Sequence, residues 1–146
     1  MPSPTSLNPQ ILGRAENAHR AILERVLAPT AITYNHWVVL TLTAQPGGTV
    51  DRDELAARAT SALKTDNTTV DATITDLHAL ALLTEVSASG SEIKLTPNGQ
   101  ERYTQIKAAV SEIVARLYND LPADDLATAG RVLTIITARA DAELAA

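Results

Sequence analysis

The chain has three histidines, His19, His36 and His78, which are its candidates for metal binding or acid–base chemistry. Their spacing gives neither the His-x₃-His nor the His-Glu-x-x-His pattern that places two imidazoles on one helix face around zinc. The sequence contains no cysteine, which excludes thiolate metal sites, disulfides and thiol nucleophiles. We therefore expect neither a metal nor another cofactor.

The motifs of common enzymes do not occur either. The sequence has no Gly-x-Ser-x-Gly turn, no glycine-rich phosphate loop and no Gly-x-Gly-x-x-Gly motif. Asp124 and Asp125 suit the first turn of a helix, where carboxylates interact favourably with the helix dipole, better than they suit a catalytic pair. The same holds for Asp51, Asp53 and Glu54. We expect no catalytic residues and no enzymatic activity.

Composition predicts a globular protein of one domain. The 146 residues are 45% hydrophobic and 20% charged, with a net charge of −5. The sequence contains no run of 18 apolar residues that would predict a membrane span, and its first six residues lack the features of a signal peptide. We therefore expect a cytoplasmic protein. Arginine outnumbers lysine nine to three, which favours a GC-rich bacterial genome.

Capping residues and apolar spacing predict six helices and one β-hairpin. The helices begin near Asn8, Thr33, Asp51, Asp66, Thr96 and Leu121, and Pro46-Gly47-Gly48 ends the second. In the fourth helix, Val70, Ile74, Leu77 and Ala81 form the expected buried stripe. The alternating segments 83–86 and 92–95, separated by residues 87–91, predict the hairpin.

The last two helices carry apolar residues at alternating spacings of three and four. Such heptad seams suit packing between helices, and a monomer would leave them in water, so we expect a symmetric dimer. The seams comprise Tyr103, Ile106, Val110, Ile113 and Leu117, and then Leu126, Ala129, Leu133, Ile136 and Ala140.

From about Leu7 to Leu144, the order and spacing of several short stretches resemble MarR-type transcriptional regulators. The stretches are Tyr34–Leu40, Asp53–Arg58, Thr69-Val70 with Ile74, Leu77 and Leu82, Leu95–Gly99, and Leu121–Leu126. The resemblance implies a mainly α fold with a small β-hairpin wing. Residues 33–95 would form a winged helix-turn-helix, and residues 8–28 and 97–144 the dimerisation helices, in a single domain spanning 1–146.

The resemblance makes the fourth helix the recognition helix for double-stranded DNA. Its methyl and hydroxyl groups would contact base edges in the major groove, and Asp76 would accept from a cytosine amino group. Nearby cations would hold phosphates, although each could be an ordinary surface charge, and Arg58 could instead pair with Glu54. The candidate DNA-binding residues are Arg52, Lys64, Thr68, Thr69, Ala72, Thr73, Asp76 and Lys94. The alternative is that this helix face is merely solvated.

A small aromatic or phenolic ligand is also implied, because the family binds ligands between the winged part and the dimer helices. This would place Tyr34, His36 and Trp37 near the pocket, together with His19 or Arg20. The alternative reading is that Trp37 belongs to the core and His36 to the surface.

Two functions thus stay open from the sequence. The first is a homodimeric DNA-binding regulator of transcription on a pseudo-palindromic operator. The second is a winged-helix dimer that has lost DNA binding and acts as a ligand sensor or protein-interaction module. Residues 51–96 motivate the second, since they carry eight acidic groups against four basic ones, and the wing tip has no arginine for the minor groove.

Overall fold

The computed structural model describes residues 5–44, 47–86 and 90–146. They form a mainly α fold with a small antiparallel sheet, as the sequence predicts. The elements are α1 (Pro9–Leu27), a 3-10 turn (Ala28–Thr30), α2 (Tyr34–Ala44), β1 (Thr49–Asp51), α3 (Arg52–Leu63), α4 (Asn67–Ala79), β2 (Leu83–Glu85), β3 (Glu92–Leu95), α5 (Pro97–Tyr118) and α6 (Ala123–Ala145).

Side-chain caps begin five of the helices where the sequence predicts them. The oxygen of Asn8 accepts from the Ile11 N–H at 2.9 Å, with Pro9 at the first helical position of α1. Asp51 accepts from the Glu54 N–H at 3.0 Å and begins α3. Each cap satisfies a backbone donor that the helix itself leaves unpaired.

The sheet has three strands in the order β1-β3-β2, with both pairs antiparallel. The hairpin of β2 and β3 is the one that the sequence predicts, whereas β1 was not predicted. Val50 of β1 faces Ile93 of β3, and both side chains are buried. Residues 87–89 of the expected wing tip lie outside the described residues, as does Pro46.

The core lies between α2, α3, α4 and the sheet. Val70, Ile74 and Leu77 of α4 are fully buried, which confirms three residues of the predicted stripe. The prediction is wrong for Ala81, which is exposed in the turn after α4 with φ 61°. The three buried residues belong to one cluster with Leu55 and Ala59 of α3. Burial of this stripe therefore determines which face of α4 is left for solvent or a ligand.

Gly99 allows α5 to begin directly against the end of the helix-turn-helix. A Cβ atom at this position would lie 2.1 Å from the carbonyl oxygen of Leu82. The Thr96 N–H donates to the same oxygen at 3.0 Å, and the Thr96 hydroxyl donates to Ala81 at 2.6 Å. The junction between the sheet and α5 is thus fixed by backbone contacts that exclude a side chain.

The chain divides into two compact units, the first ending at Val110 and the second comprising Ser111–Ala146. Every residue in the second unit is at least partly exposed, including Leu117, Leu121, Ile135 and Ile136. In the residues that the structure describes, no helix is long and apolar enough to cross a membrane.

Candidate functional site

Helix α4 follows α3 after a three-residue turn in which Lys64 adopts the left-handed conformation, with φ 52°. Asp66 then begins α4 by accepting from the Thr69 N–H at 2.8 Å. This hydrogen bond, together with a second one from the Thr69 side chain, holds the pKa of Asp66 below its ordinary value of 3.8. The turn and cap together determine how α4 leaves α3.

One face of α4 is open to solvent along the length of the helix. Of the predicted DNA-binding residues, Thr68, Ala72 and Asp76 lie on this face, and Thr69 is half-buried at its edge. Asp71 and Thr75 are equally exposed but were not predicted. Asp71 lies three residues after Thr68, and Thr75 lies three after Ala72 and four after Asp71. This helical spacing was the signal that could have identified them.

The prediction that Thr73 faces outward is wrong. Its side chain is buried, with 5% of its surface exposed, and its hydroxyl donates to the Thr69 carbonyl at 2.8 Å. A threonine can occupy a buried position in a helix because its hydroxyl bonds to the carbonyl one turn earlier. Thr73 therefore supports the helix and presents no group to a ligand.

The predicted phosphate-binding cations lie at the edges of the helix-turn-helix and on the sheet. Arg52 is half-buried at the start of α3, and Lys64 is exposed in the turn before α4. Lys94 is exposed on β3, between Thr49 of β1 and Thr84 of β2. Arg58 is bonded to Glu54 on its own helix, which is the alternative that the sequence allowed.

Acidic groups accompany these cations. Asp51 and Glu92 face each other across the β1–β3 pair, and Asp71 and Asp76 lie on the open face of α4. No basic side chain occurs in α4 apart from His78. The open face of α4 is therefore polar and acidic, and the predicted phosphate-binding cations lie on the neighbouring elements.

His36 joins α2 to α4. The Nδ1 atom of His36 accepts from the Thr33 N–H at 3.1 Å, and the backbone N–H of His36 donates to the Thr33 hydroxyl at 3.2 Å. The two bonds form a reciprocal cap at the start of α2. Because Nδ1 is an acceptor, Nε2 carries the proton and donates to Oδ2 of Asp76 at 3.2 Å. Both ring nitrogens of His36 thus have hydrogen-bond partners within the protein. Neither is free to bind a ligand in the role that the resemblance implied.

A mostly apolar cavity of about 260 Å³ lies beside Trp37. Trp37 stacks on Tyr103 with ring centroids 5.4 Å apart, and the Arg20 guanidinium lies 4.4 Å from the centre of the Tyr34 ring. The cavity is lined by Leu23, Tyr34, Trp37, Val38, Thr41 and Leu42.

The structure therefore brings two of the four predicted ligand residues, Tyr34 and Trp37, to one cavity. The other two are elsewhere. His36 is buried, which also contradicts the alternative that it lies on the surface. His19 is exposed on α1, with Nδ1 2.7 Å from the Ala15 carbonyl one turn earlier. Among the described residues, no group of three or more His, Cys, Asp or Glu side chains could hold a metal ion.

Comparisons with known proteins identify the fold. No family model and no curated protein matches the sequence. Solved structures do match over most of their length. The crystal structure of NadR in complex with 4-hydroxyphenylacetate has a TM-score of 0.73 and 23% identity, covering 90% of this chain and 95% of that one.

Two further structures have similar scores. A MarR-family transcriptional regulator from Rhodococcus sp. RHA1 has a TM-score of 0.72 and 18% identity, covering 92% of this chain and 98% of that one. CouR from Rhodococcus jostii RHA1, bound to p-coumaroyl-CoA, has a TM-score of 0.74 and 18% identity, covering 87% and 89%. The chain thus has the winged-helix fold of MarR-family regulators, and the resemblance predicted from the sequence is confirmed for the fold.

Proposed function

We propose that the chain is a DNA-binding transcriptional regulator that acts as a homodimer and responds to a small ligand. The observation that carries this proposal is the open face of α4, which follows a tight turn from α3 in a fold shared with MarR-family regulators. In a helix-turn-helix, the second helix enters the major groove and presents its exposed side chains to base edges. The proposal assigns no catalytic residue.

The side chains of the open face determine what α4 could read. The methyl group of Ala72 suits contact with a thymine methyl, and the hydroxyls of Thr68 and Thr75 can bond to bases or phosphates. Asp76 can accept from a cytosine amino group with the carboxylate oxygen that His36 leaves free. Specificity would then rest on small side chains and DNA shape, without arginine–guanine pairs.

Phosphate contacts would come from Arg52, Lys64 and Lys94, which lie at the start of α3, in the turn before α4 and on β3. Three cations in each subunit give six in a dimer. Each phosphate neutralised releases counterions and adds about 0.9 to the slope of log affinity against log salt concentration. Binding should therefore depend on salt, but less steeply than for strongly basic regulators.

Dimerisation is supported by the exposed apolar surface of the second unit. Leu117 of α5 is 43% exposed, Ile136 of α6 39%, and Leu121 in the turn between these helices 50%. No residue of Ser111–Ala146 is buried. Apolar residues repeated along helices in this way are typical of a surface that a second subunit covers. A two-fold dimer would present two α4 helices to successive major grooves, one helical turn apart.

The cavity beside Trp37 is the proposed site for the small ligand. NadR was solved in complex with 4-hydroxyphenylacetate and CouR bound to p-coumaroyl-CoA. In this chain, an apolar cavity beside Trp37 and Tyr34 suits an aromatic ring. A ligand that binds differently to the free and the DNA-bound protein would shift DNA affinity, and DNA would shift ligand affinity by the same factor.

A mobility-shift assay with the DNA upstream of the chain's own gene tests the proposal. Ala72→Asp should abolish the shift, because it adds a charge at the centre of the open face of α4 without altering the core. Ala145→Asp, at the exposed end of α6, is the matched control and should shift the DNA as the unaltered chain does. Equal shifts by both variants would contradict the role of α4.

The second candidate function is a ligand sensor or protein-interaction module that no longer binds DNA. The acidic residues Asp71 and Asp76 on the open face of α4 favour it, because carboxylates repel the phosphate backbone. This candidate predicts ligand binding at Trp37 with no DNA shift at any salt concentration. Measurement of Trp37 fluorescence with small aromatic acids, alongside the mobility shift, separates the two.

A further inference from the structure

A second cavity, of about 360 Å³, lies between the end of α1, the 3-10 turn and α5. It shares no lining residue with the cavity beside Trp37. Its walls are polar and apolar in about equal measure, with Thr30 of the 3-10 turn and Arg102 and Gln105 of α5 supplying the polar groups. The lining residues are Val26, Pro29, Thr30, Arg102, Gln105, Ile106 and Ala109.

Arg102 is half-buried in this cavity with most of its donors unused. One guanidinium nitrogen donates to the Thr30 carbonyl at 3.0 Å. Within residues 5–44, 47–86 and 90–146, Arg102 makes no other hydrogen bond and no ion pair. A guanidinium has five N–H donors and is always charged, so four donors and a full positive charge have no protein partner there.

The bond to Thr30 also fixes where the guanidinium points. Thr30 ends the 3-10 turn, and its hydroxyl donates to the Leu27 carbonyl at 2.6 Å, so the accepting carbonyl is itself held in place. Ile106, one turn beyond Arg102 on α5, is buried with 3% of its surface exposed and forms an apolar wall. The charged group is therefore pre-positioned beside apolar surface, which strengthens its interaction with an anion.

We propose that this cavity binds a small monocarboxylate with an apolar body. The carboxylate would accept two parallel hydrogen bonds from Arg102, and the body would pack on Val26, Pro29 and Ile106. The volume falls within the range of small-molecule sites. The site is separate from the cavity beside Trp37, and its existence does not depend on DNA binding.

Charge at the rim of the cavity narrows the ligand class further. The Gln105 amide lies 3.5 Å from a carboxylate oxygen of Glu101, which places a negative charge beside a lining residue. This charge would repel a dicarboxylate or a phosphate dianion more strongly than a single carboxylate held on Arg102. Monoanions are therefore preferred over dianions.

Nuclear magnetic resonance of the ¹⁵N-labelled full chain, titrated with sodium benzoate, tests the proposal. Benzoate should shift the Arg102 Nε–H and Gln105 side-chain signals, while benzamide, which has the same shape but no charge, should bind about tenfold more weakly or less. Benzoate that shifts only the Trp37 indole signal occupies the other cavity and overturns the proposal. Equal binding of the two probes, or binding of neither, overturns it as well.

Two variants separate loss of the site from loss of the fold. Arg102→Gln should weaken benzoate by about tenfold, but it also removes the bond to Thr30. Ala109→Phe fills the cavity while leaving Arg102 in place, and it should abolish the shifts at Arg102 in a chain that still unfolds cooperatively. Arg116→Gln, on the same helix outside the cavity, is the control. Benzoate binding that survives Ala109→Phe contradicts the site.

Discussion

The Nε2 atom of His36 donates to Oδ2 of Asp76 at 3.2 Å, so a buried imidazole in α2 is bonded to a side chain on the open face of α4. The other ring nitrogen of His36 accepts from the Thr33 N–H and completes the cap of α2. Asp76 is still 62% exposed, so one of its oxygens can meet a ligand while the other is held. The start of α2 and the proposed reading face of α4 are therefore linked through one side chain.

We expect His36→Leu to lower the free energy of unfolding by about 1–3 kcal/mol, because it leaves the Thr33 N–H unpaired and removes the link to α4. Asp71→Asn changes another exposed carboxylate of α4 and should have little effect on the free energy of unfolding. Urea denaturation measures both. A His36→Leu protein as stable as the unaltered chain would show that the link contributes nothing.

Gly99→Ala should be strongly destabilising. The added methyl group would lie 2.1 Å from the backbone oxygen of Leu82, which cannot move without disturbing the start of α5. We expect a loss of about 3 kcal/mol, seen as a lower thermal midpoint. Gly130→Ala is the control, because nothing lies within 4 Å of its added Cβ in the chain and α6 should gain about 0.5–1 kcal/mol. Equal midpoints for the two variants would contradict the close contact.

The cap by Asp66 makes part of the stability depend on pH. The folded-state pKa of Asp66 lies below its unfolded value of 3.8, so its contribution is present above that value and is lost as pH falls through the folded pKa. Asp66→Ala should lower the thermal midpoint at pH 7, and the difference from the unaltered chain should shrink as pH falls below about 4. Asp66→Asn, which can still accept from the Thr69 N–H, should retain much of the cap. A difference that is constant with pH would contradict this.

The local signals in the sequence predicted most of the fold. Asn8, Asp51 and Asp66 cap helices as predicted, because a cap depends only on residues within one turn. Strand β1 was missed because its three residues are ordered by pairing with β3, some forty residues later in the chain, as Val50 does with Ile93. No periodicity within three residues could indicate that.

The site was predicted less well, because polarity was taken as a sign of exposure. Thr73 lies three residues after Val70 and four before Leu77, which is the spacing of the buried stripe, and its hydroxyl is satisfied by Thr69. His36 is buried for a comparable reason, since Thr33 and Asp76 satisfy both of its ring nitrogens. The contact between His36 and Asp76 joins residues forty positions apart and had no signal in the sequence.

Dimerisation can be tested on the exposed seams of the second unit. Ile113→Asp combined with Leu133→Asp should give a monomeric or unfolded protein in sedimentation experiments, because each places a charge in the apolar surface. Val86→Asp changes an exposed apolar residue that follows β2, outside the seams, and it should leave the sedimentation coefficient unchanged. A folded, monomeric, unaltered chain at micromolar concentration would contradict the dimer.

The central claim is that this acidic protein binds DNA through α4, and fluorescence anisotropy with labelled genomic fragments at low salt tests it most directly. Electrostatic attraction is least screened there, so any competent binding surface should be detected. We expect binding whose affinity falls with salt at a log–log slope between about −4 and −5.4 for the dimer, since six cations at about 0.9 each set the upper limit. No binding at tens of micromolar dimer would contradict the claim and leave the sensor or interaction module.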